Sequence, residues 1–206
     1  MMTITLSDAG KRFNRDWIFR KATYTFLPGH TYAITGSNGS GKSTLLQALA
    51  GSLEISEGKI NWEIDGATIN ADNIYKYLTI AAPYVEVIEE MTAAEFLQFH
   101  QQFKPLLPGL SIKEILNIIG LEKAAAKQIR YYSSGMKQRI KLAQAIFSNA
   151  PLLLLDEPCT NLDASGFQLY HSLISDYAKT KTIVVSSNDV NEYSFCRNVI
   201  SIMDYK

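Results

Sequence analysis

Cysteine is nearly absent from this 206-residue chain: Cys159 and Cys196 stand far apart and form no CxxC pair. That argues against a disulfide framework or a zinc site and fits a reducing compartment. An excess of one charge is missing too. Twenty Lys and Arg balance 20 Asp and Glu, so the chain lacks the basic excess of a nucleic-acid binder, and no nucleic-acid partner is expected. Long apolar runs are lacking as well. The longest, such as Leu152–Leu155, are strand-sized and fall far short of the ~20 residues that span a bilayer. The opening stretch from Met1 to Asp16 becomes charged before any apolar run of signal-peptide length. The chain by itself therefore reads as soluble, and a membrane role would need a partner. Histidine is scarce, with His30, His100 and His171 reading as surface or half-buried residues rather than catalysts.

What is present is enough apolar material, 47% of residues, for one domain or one domain with an inserted lobe. Strands are expected at Thr3–Leu6, Ala22–Phe26 and Thr31–Thr35, with a Pro28-Gly29 turn between the last two. A helix is expected over Ser43–Ala50, ended by Gly51. Ile60–Ile64 and Thr68–Ile69 flank Asp65-Gly66, a hairpin signal, and Tyr77–Ala81 reads as a further strand. The character then changes. Thr92 can cap a helix over Ala93–Phe103, Pro105 and Pro108-Gly109 break the chain, and Ser111 can cap Ile112–Ile119 before Gly120. Roughly Glu86–Arg130 thus reads as a helical lobe inserted in a single α/β domain. The core resumes with a buried strand at Leu152–Leu155, a helix over Ala164–Ala178, and strands at Thr182–Ser186 and Val199–Met203.

Gly36-Ser37-Asn38-Gly39-Ser40-Gly41-Lys42-Ser43 matches G-x-x-x-x-G-K-[ST]. Glycines let backbone N–H groups curl around phosphate oxygens, and the helix after the loop adds its partial positive charge. Lys42 is placed to neutralise the β- and γ-phosphates, and the Ser43 hydroxyl to ligate Mg²⁺, with Thr44 completing the loop. In a chain of this length a chance match is on the order of one in a hundred; lying between a strand and a helix makes it rarer. Bound Mg-ATP is the expectation. A carboxylate for the metal is then expected after a second buried strand. Asp156 comes directly after Leu152–Leu155, and Glu157 is placed to polarise an attacking water.

With these residues the chain resembles the ATP-binding subunit of an ABC transporter. Tyr132-Ser133-Ser134-Gly135-Met136 resembles the family's LSGGQ signature, followed by the basic Lys137-Gln138-Arg139. Asn161-Leu162-Asp163 resembles its D-loop, and Phe13 lies where the family stacks an aromatic ring on adenine, with Trp17 and Phe19 as alternatives. The resemblance covers nearly the whole chain. It implies an α/β fold of the P-loop NTPase type: a mixed or parallel sheet core, an N-terminal antiparallel β subdomain and the inserted helical lobe. It also implies a head-to-tail dimer, of like or unlike ATPase subunits, in which Ser133 and the Gly135 N–H meet the γ-phosphate held by the other copy. The partner implied is a membrane-spanning subunit on a separate chain, which would hold this protein on the cytoplasmic face of the cell membrane.

Four positions depart from that pattern. Ser134 and Met136 replace the usual glycine and glutamine of the signature. Pro83 stands where the family carries a Mg²⁺-ligating glutamine, and no glutamine lies between Ala48 and Leu97. Asn188 stands where the family places a histidine on the γ-phosphate; it can donate a hydrogen bond but cannot carry a proton at neutral pH. Glu157 and Asn188 are therefore expected to support slow hydrolysis. The alternatives are a weakly hydrolysing nucleotide switch and a soluble ABC ATPase outside transport. The acidic and apolar Val85–Met91 segment is the expected docking place for a basic helix of the membrane subunit.

Overall fold

In Met2–Leu6 every second residue is apolar, and the structure buries Met2, Ile4 and Leu6 while leaving Thr3 and Thr5 half-exposed. The strand continues much further than the short stretch expected. The computed structural model, which describes residues 1–206, has strands β1 (Met2–Phe13), β2 (Asp16–Phe26) and β3 (Thr31–Thr35), then helix α1 (Lys42–Leu49). Next come β4 (Glu57–Ile64), β5 (Ala67–Ile69), β6 (Leu78–Ala81), α2 (Ala93–His100) and α3 (Ile112–Ile118). The remainder is α4 (Ser134–Ile146), β7 (Leu152–Asp156), α5 (Ala164–Tyr177), β8 (Thr182–Ser186), α6 (Val190–Tyr193) and β9 (Asn198–Ser201).

The chain divides into two compact units. The first comprises Met1–Leu78, Pro151–Glu157 and Thr180–Lys206. It contains an antiparallel sheet in the order β2-β1-β4-β5 and a parallel run of strands in the order β7-β8-β3-β9. The β1–β2 hairpin is longer than expected because two residues at positive φ, Asp8 and Lys21, form irregularities that reset the register. A bulge of this kind adds a residue to one strand, so the two-residue alternation is lost although the pairing goes on. The Asp65-Gly66 turn joins β4 to β5, with both residues at positive φ (50° and 83°), the conformation that the favoured two-residue hairpin demands. Two of the parallel strands are covered on both faces: every residue of β7 and β8 is buried. The last strand stops at Ser201, short of the expected Met203, because Ile202–Tyr205 closes into a 3₁₀ turn started by the Ser201 hydroxyl.

The second unit comprises Thr79–Ala150 and Pro158–Lys179. It holds α2 to α5 and is wider than the expected Glu86–Arg130 lobe, which accounts for α2 and α3 within it. Both of those helices open with a reciprocal capping box, Thr92 with Glu95 and Ser111 with Glu114. Each box satisfies two backbone donors that the first turn leaves over. Helix α2 ends at His100, three residues before the expected Phe103. The chain there tightens into single turns, Gln102 N to Phe99 O and Phe103 N to His100 O, on its way to Pro105.

Candidate functional site

Register explains where the expected phosphate loop, Gly36–Thr44, sits. Thr31 to Ile34 of β3 pair in parallel with Ile183 to Ser186 of β8, and Leu152 to Asp156 of β7 pair with Thr182 to Ser186 of the same strand. The C-terminal ends of all three strands are therefore level, and the residues after each emerge at one edge. In an open parallel sheet that edge is where ligands bind. From β3 comes Gly36–Gly41, from β7 comes Glu157, and from β8 come Ser187 and Asn188.

The loop curls before entering α1: Ser40 N donates to Ser37 O at 3.0 Å, and Leu45 N to Gly41 O at 2.9 Å. Gly41 has φ near +100°, and a Cβ there would meet Ile18 Cγ2 at 2.2 Å, so only glycine fits. Lys42 is nearly buried, and its ammonium spans the loop, donating to Gly36 O at 2.9 Å and Ser37 O at 3.3 Å. Asn38, Gly39, Gly41, Lys42, Ser43, Thr44, Ile18 and Glu157 line one cavity of about 220 Å³. Ile18 is a lining residue that no motif points to; one apolar residue in an aromatic strand carries no signal of its own.

Glu157 N–H donates to Ser186 O at 2.9 Å, and its φ of +44° holds it in the left-handed region. That conformation is uncommon for a residue with a side chain, and such strain concentrates at functional sites. Asp156 is 2% exposed, and its Oδ1 has no hydrogen-bond partner; neither does the buried Ser186 Oγ opposite it on β8. A buried carboxylate oxygen without a partner costs free energy unless a cation or water meets it. These hard oxygens, with the Ser43 hydroxyl of the loop, fit a magnesium ion, which takes one or two protein ligands and fills its shell with water and phosphate oxygens. The chain has no cluster of three or more His, Cys, Asp or Glu suited to a metal.

Asn188 donates from Nδ2 to Asn38 Oδ1 at 2.7 Å, which ties the residue expected at the family's histidine position to the Gly36–Thr44 loop. Phe13 lies at the end of β1 with its ring half-exposed, one face carrying the Lys11 ammonium 5.0 Å from the centroid. Of its alternatives, Phe19 is fully buried and offers no free face. Trp17 is flanked by the guanidiniums of Arg12 and Arg20, at 5.6 and 4.4 Å, and Arg20 is held by Glu57.

In the second unit, Ser133 is the N-cap of α4, its hydroxyl accepting from Met136 N at 3.3 Å. Ser133 to Met136 share a groove of about 270 Å³ with Arg139 and with Asn161, Leu162 and Asp163, the expected D-loop. Arg139 lies 3.7 Å from the Asp163 carboxylate and donates to Ser165 Oγ. The backbone is close here: a Cβ on Gly135 would sit 3.2 Å from Asn161 O. The neighbouring Ser134 is exposed and lines the same groove. Pro83 is exposed, its carbonyl 3.5 Å from the Lys141 ammonium. The acidic face expected on Val85–Met91 is partly spent within the chain. Glu89 pairs with Lys137 at 2.5 Å and Glu90 with Arg130 at 3.7 Å, so these two carboxylates already face cations of the same unit.

Comparison with known proteins accords with this geometry. The family model described as ABC transporter matches residues 19–160. YybJ of Bacillus subtilis, an uncharacterised ABC transporter ATP-binding protein, is 31% identical over 86% of this chain and 82% of its own. The cytochrome c biogenesis ATP-binding export protein CcmA of Aliivibrio fischeri is 33% identical over 82% of each. Among solved structures, a putative ABC transporter ATP-binding protein of Pyrococcus furiosus superposes with a TM-score of 0.82 at 19% identity, covering 99% of both chains. A bacterial ABC transporter cassette solved as a dimer gives 0.79 at 23%, over 96% of this chain and 93% of that one. Those two likenesses show the fold, an α/β cassette of the P-loop type. Together with the family model and the sequence relatives, they show that this chain belongs to the ABC transporter family, as one of its ATP-binding proteins.

Proposed function

We propose that this chain hydrolyses Mg-ATP to drive a membrane-spanning transporter subunit carried on a separate chain, at the cytoplasmic face of the membrane. The observation that carries the reading is the shared cavity in which Glu157 faces the loop residues Asn38 to Thr44. A phosphate cradle and a carboxylate able to take a proton from water line the same space. Lys42 and the α1 N-terminus bind the phosphates, Glu157 orients and deprotonates the attacking water, and Phe13 stacks on adenine. When bound, magnesium would be held by Ser43 and Asp156 and would neutralise charge on the β- and γ-phosphates.

No helix here is long and apolar enough to cross a membrane. The working form is a head-to-tail dimer of such domains, with Ser133 and Gly135 of one copy completing the site of the other. The dimeric fold relative and the exposed signature groove support this arrangement. Turnover is slow, because Asn188 cannot exchange a proton and Pro83 offers no side-chain oxygen. Those same two residues favour a second reading, a module that dimerises on ATP and hardly hydrolyses it.

The test is a phosphate-release assay on the purified chain, with Lys42→Ala and Glu157→Gln, alongside gel filtration with Mg-ATP. ATP-dependent dimers of Glu157→Gln with slow wild-type turnover support the proposal. Dimers with no turnover in any condition favour the switch. A chain that neither binds ATP nor dimerises rules out both.

A further inference from the structure

The last turn of the chain abuts both ends of the phosphate loop, and the reason is register. Strand β9 pairs in parallel with β3, Thr35 opposite Ser201, so the chain leaving Thr35 and the chain leaving Ser201 emerge side by side. Past Thr35 it enters the loop at Gly36; past Ser201 it closes into Ile202–Tyr205. Ile202 is fully buried, and a Cβ on Gly36, which has φ near +147°, would come within 2.6 Å of Ile202 Cγ2. The turn is thus packed against the start of the loop. At the other end, the Lys206 ammonium donates to Ser40 O and to Ile18 O, both at 2.7 Å.

We propose that Lys206 is a positioning residue for nucleotide binding, its ammonium fixing the Ser40–Gly41 peptide of the phosphate loop against strand β2. Both carbonyls that it holds belong to, or adjoin, residues lining the nucleotide cavity, Ile18 and Gly41. The Ser40–Gly41 peptide lies just ahead of Lys42, where α1 starts, and its tilt sets the direction of the N–H groups that must converge on phosphate oxygens. The Ser40 Oγ is buried without a partner, so the residue is held through its backbone, by its N–H on Ser37 O and by the Lys206 ammonium on its carbonyl. Hydrogen bonds from a charged donor are the strong class. A loop held in the binding geometry beforehand avoids the ordering cost on binding.

This inference rests on the Gly36–Thr44 loop being the phosphate cradle, and the experiment separates the two. Affinities for ATP, ADP and inorganic tripolyphosphate are measured by calorimetry for the wild type, Lys206→Met, Lys206→Arg and Lys42→Ala, with thermal unfolding of each protein without nucleotide. Lys206→Met should weaken all three ligands by a similar factor of about 10, or ~1.4 kcal/mol, because the loop acts on phosphates and not on the base. Its unfolding midpoint should stay near wild type, since Lys206 is exposed, and Lys206→Arg should recover most of the affinity. Wild-type tripolyphosphate binding by Lys206→Met overturns the inference, as does a loss of affinity that only parallels a fall in the unfolding midpoint and is not rescued by arginine. If Lys42→Ala itself leaves tripolyphosphate binding intact, it is the cradle reading that fails.

Discussion

The side-chain amide of Asn188 donates to the side-chain oxygen of Asn38 at 2.7 Å, joining the end of β8 to the middle of the phosphate loop. Both residues are exposed, so the bond stabilises the fold by no more than about 0.5–1.5 kcal/mol. Its consequence is placement: the position that the family resemblance sets near the γ-phosphate is held at the loop by a group without a titratable proton. Asn188→His is expected to raise steady-state phosphate release by ~10-fold or more, somewhat below what one fully effective acid–base group supplies. Asn188→Ala should lower it while leaving the unfolding midpoint almost unchanged. Equal rates for all three proteins would remove position 188 from the reaction.

Glu157 is the proposed water-activating residue. Glu157→Gln keeps side-chain size but removes the proposed base, so turnover should fall by ~10²–10⁴ with ATP affinity retained. A calorimetric titration beside the phosphate-release assay separates these effects. If turnover persists at the wild-type level, the water-activating group lies elsewhere.

Ser133 has a local role and a proposed distant one, and substitution can separate them. As the N-cap of α4, its loss in Ser133→Ala should cost about 1 kcal/mol. Ser133→Asp keeps the cap and suits the helix N-terminus, but it sets a negative charge where the γ-phosphate of the opposing copy would lie. Stability should therefore recover in Ser133→Asp while ATP-dependent dimers of the Glu157→Gln background are lost. Dimers that survive the aspartate would reduce Ser133 to a helix cap.

The parts of this fold that can be read from the sequence are those bounded by punctuation. Thr31–Thr35 is β3 residue for residue, Asp65-Gly66 turns β4 into β5, and Thr92 and Ser111 start α2 and α3 where the capping pattern puts them. The β1–β2 hairpin outruns its pattern because the irregularities at Asp8 and Lys21 interrupt the alternation while the pairing continues. The Gly36–Thr44 loop, Asp156 and Glu157 stand out as candidates because the chemistry proposed for them demands particular residues in a fixed local order. Contacts set by register between distant strands are not. Nothing near Lys206 in the sequence announces that it reaches Ser40, and nothing in Ile18 announces that it lines the cavity. The acidic Glu89 and Glu90 show the converse: their composition suggests a partner's basic helix, yet Lys137 and Arg130 of the same unit already lie beside them.

A last prediction concerns pH and lies away from the nucleotide. His100, at the end of α2, is half-buried and hydrogen-bonded to the Ser148 hydroxyl at 2.7 Å. Burial, aided by the nearby Lys104, lowers its pKa from 6.5 to about 4. Between those two values the unfolded chain binds a proton that the folded chain refuses, so stability rises with pH across the window. The contribution is complete above pH 6.5 and is lost as pH falls toward 4. The cause is desolvation of the imidazolium, so a neutral side chain that can still meet Ser148 should abolish it. His100→Gln is therefore expected to unfold at a midpoint that depends less on pH than wild type between about pH 7 and about pH 4.5. Identical slopes for the two proteins would show that the acid sensitivity of this fold comes from its carboxylates rather than from His100.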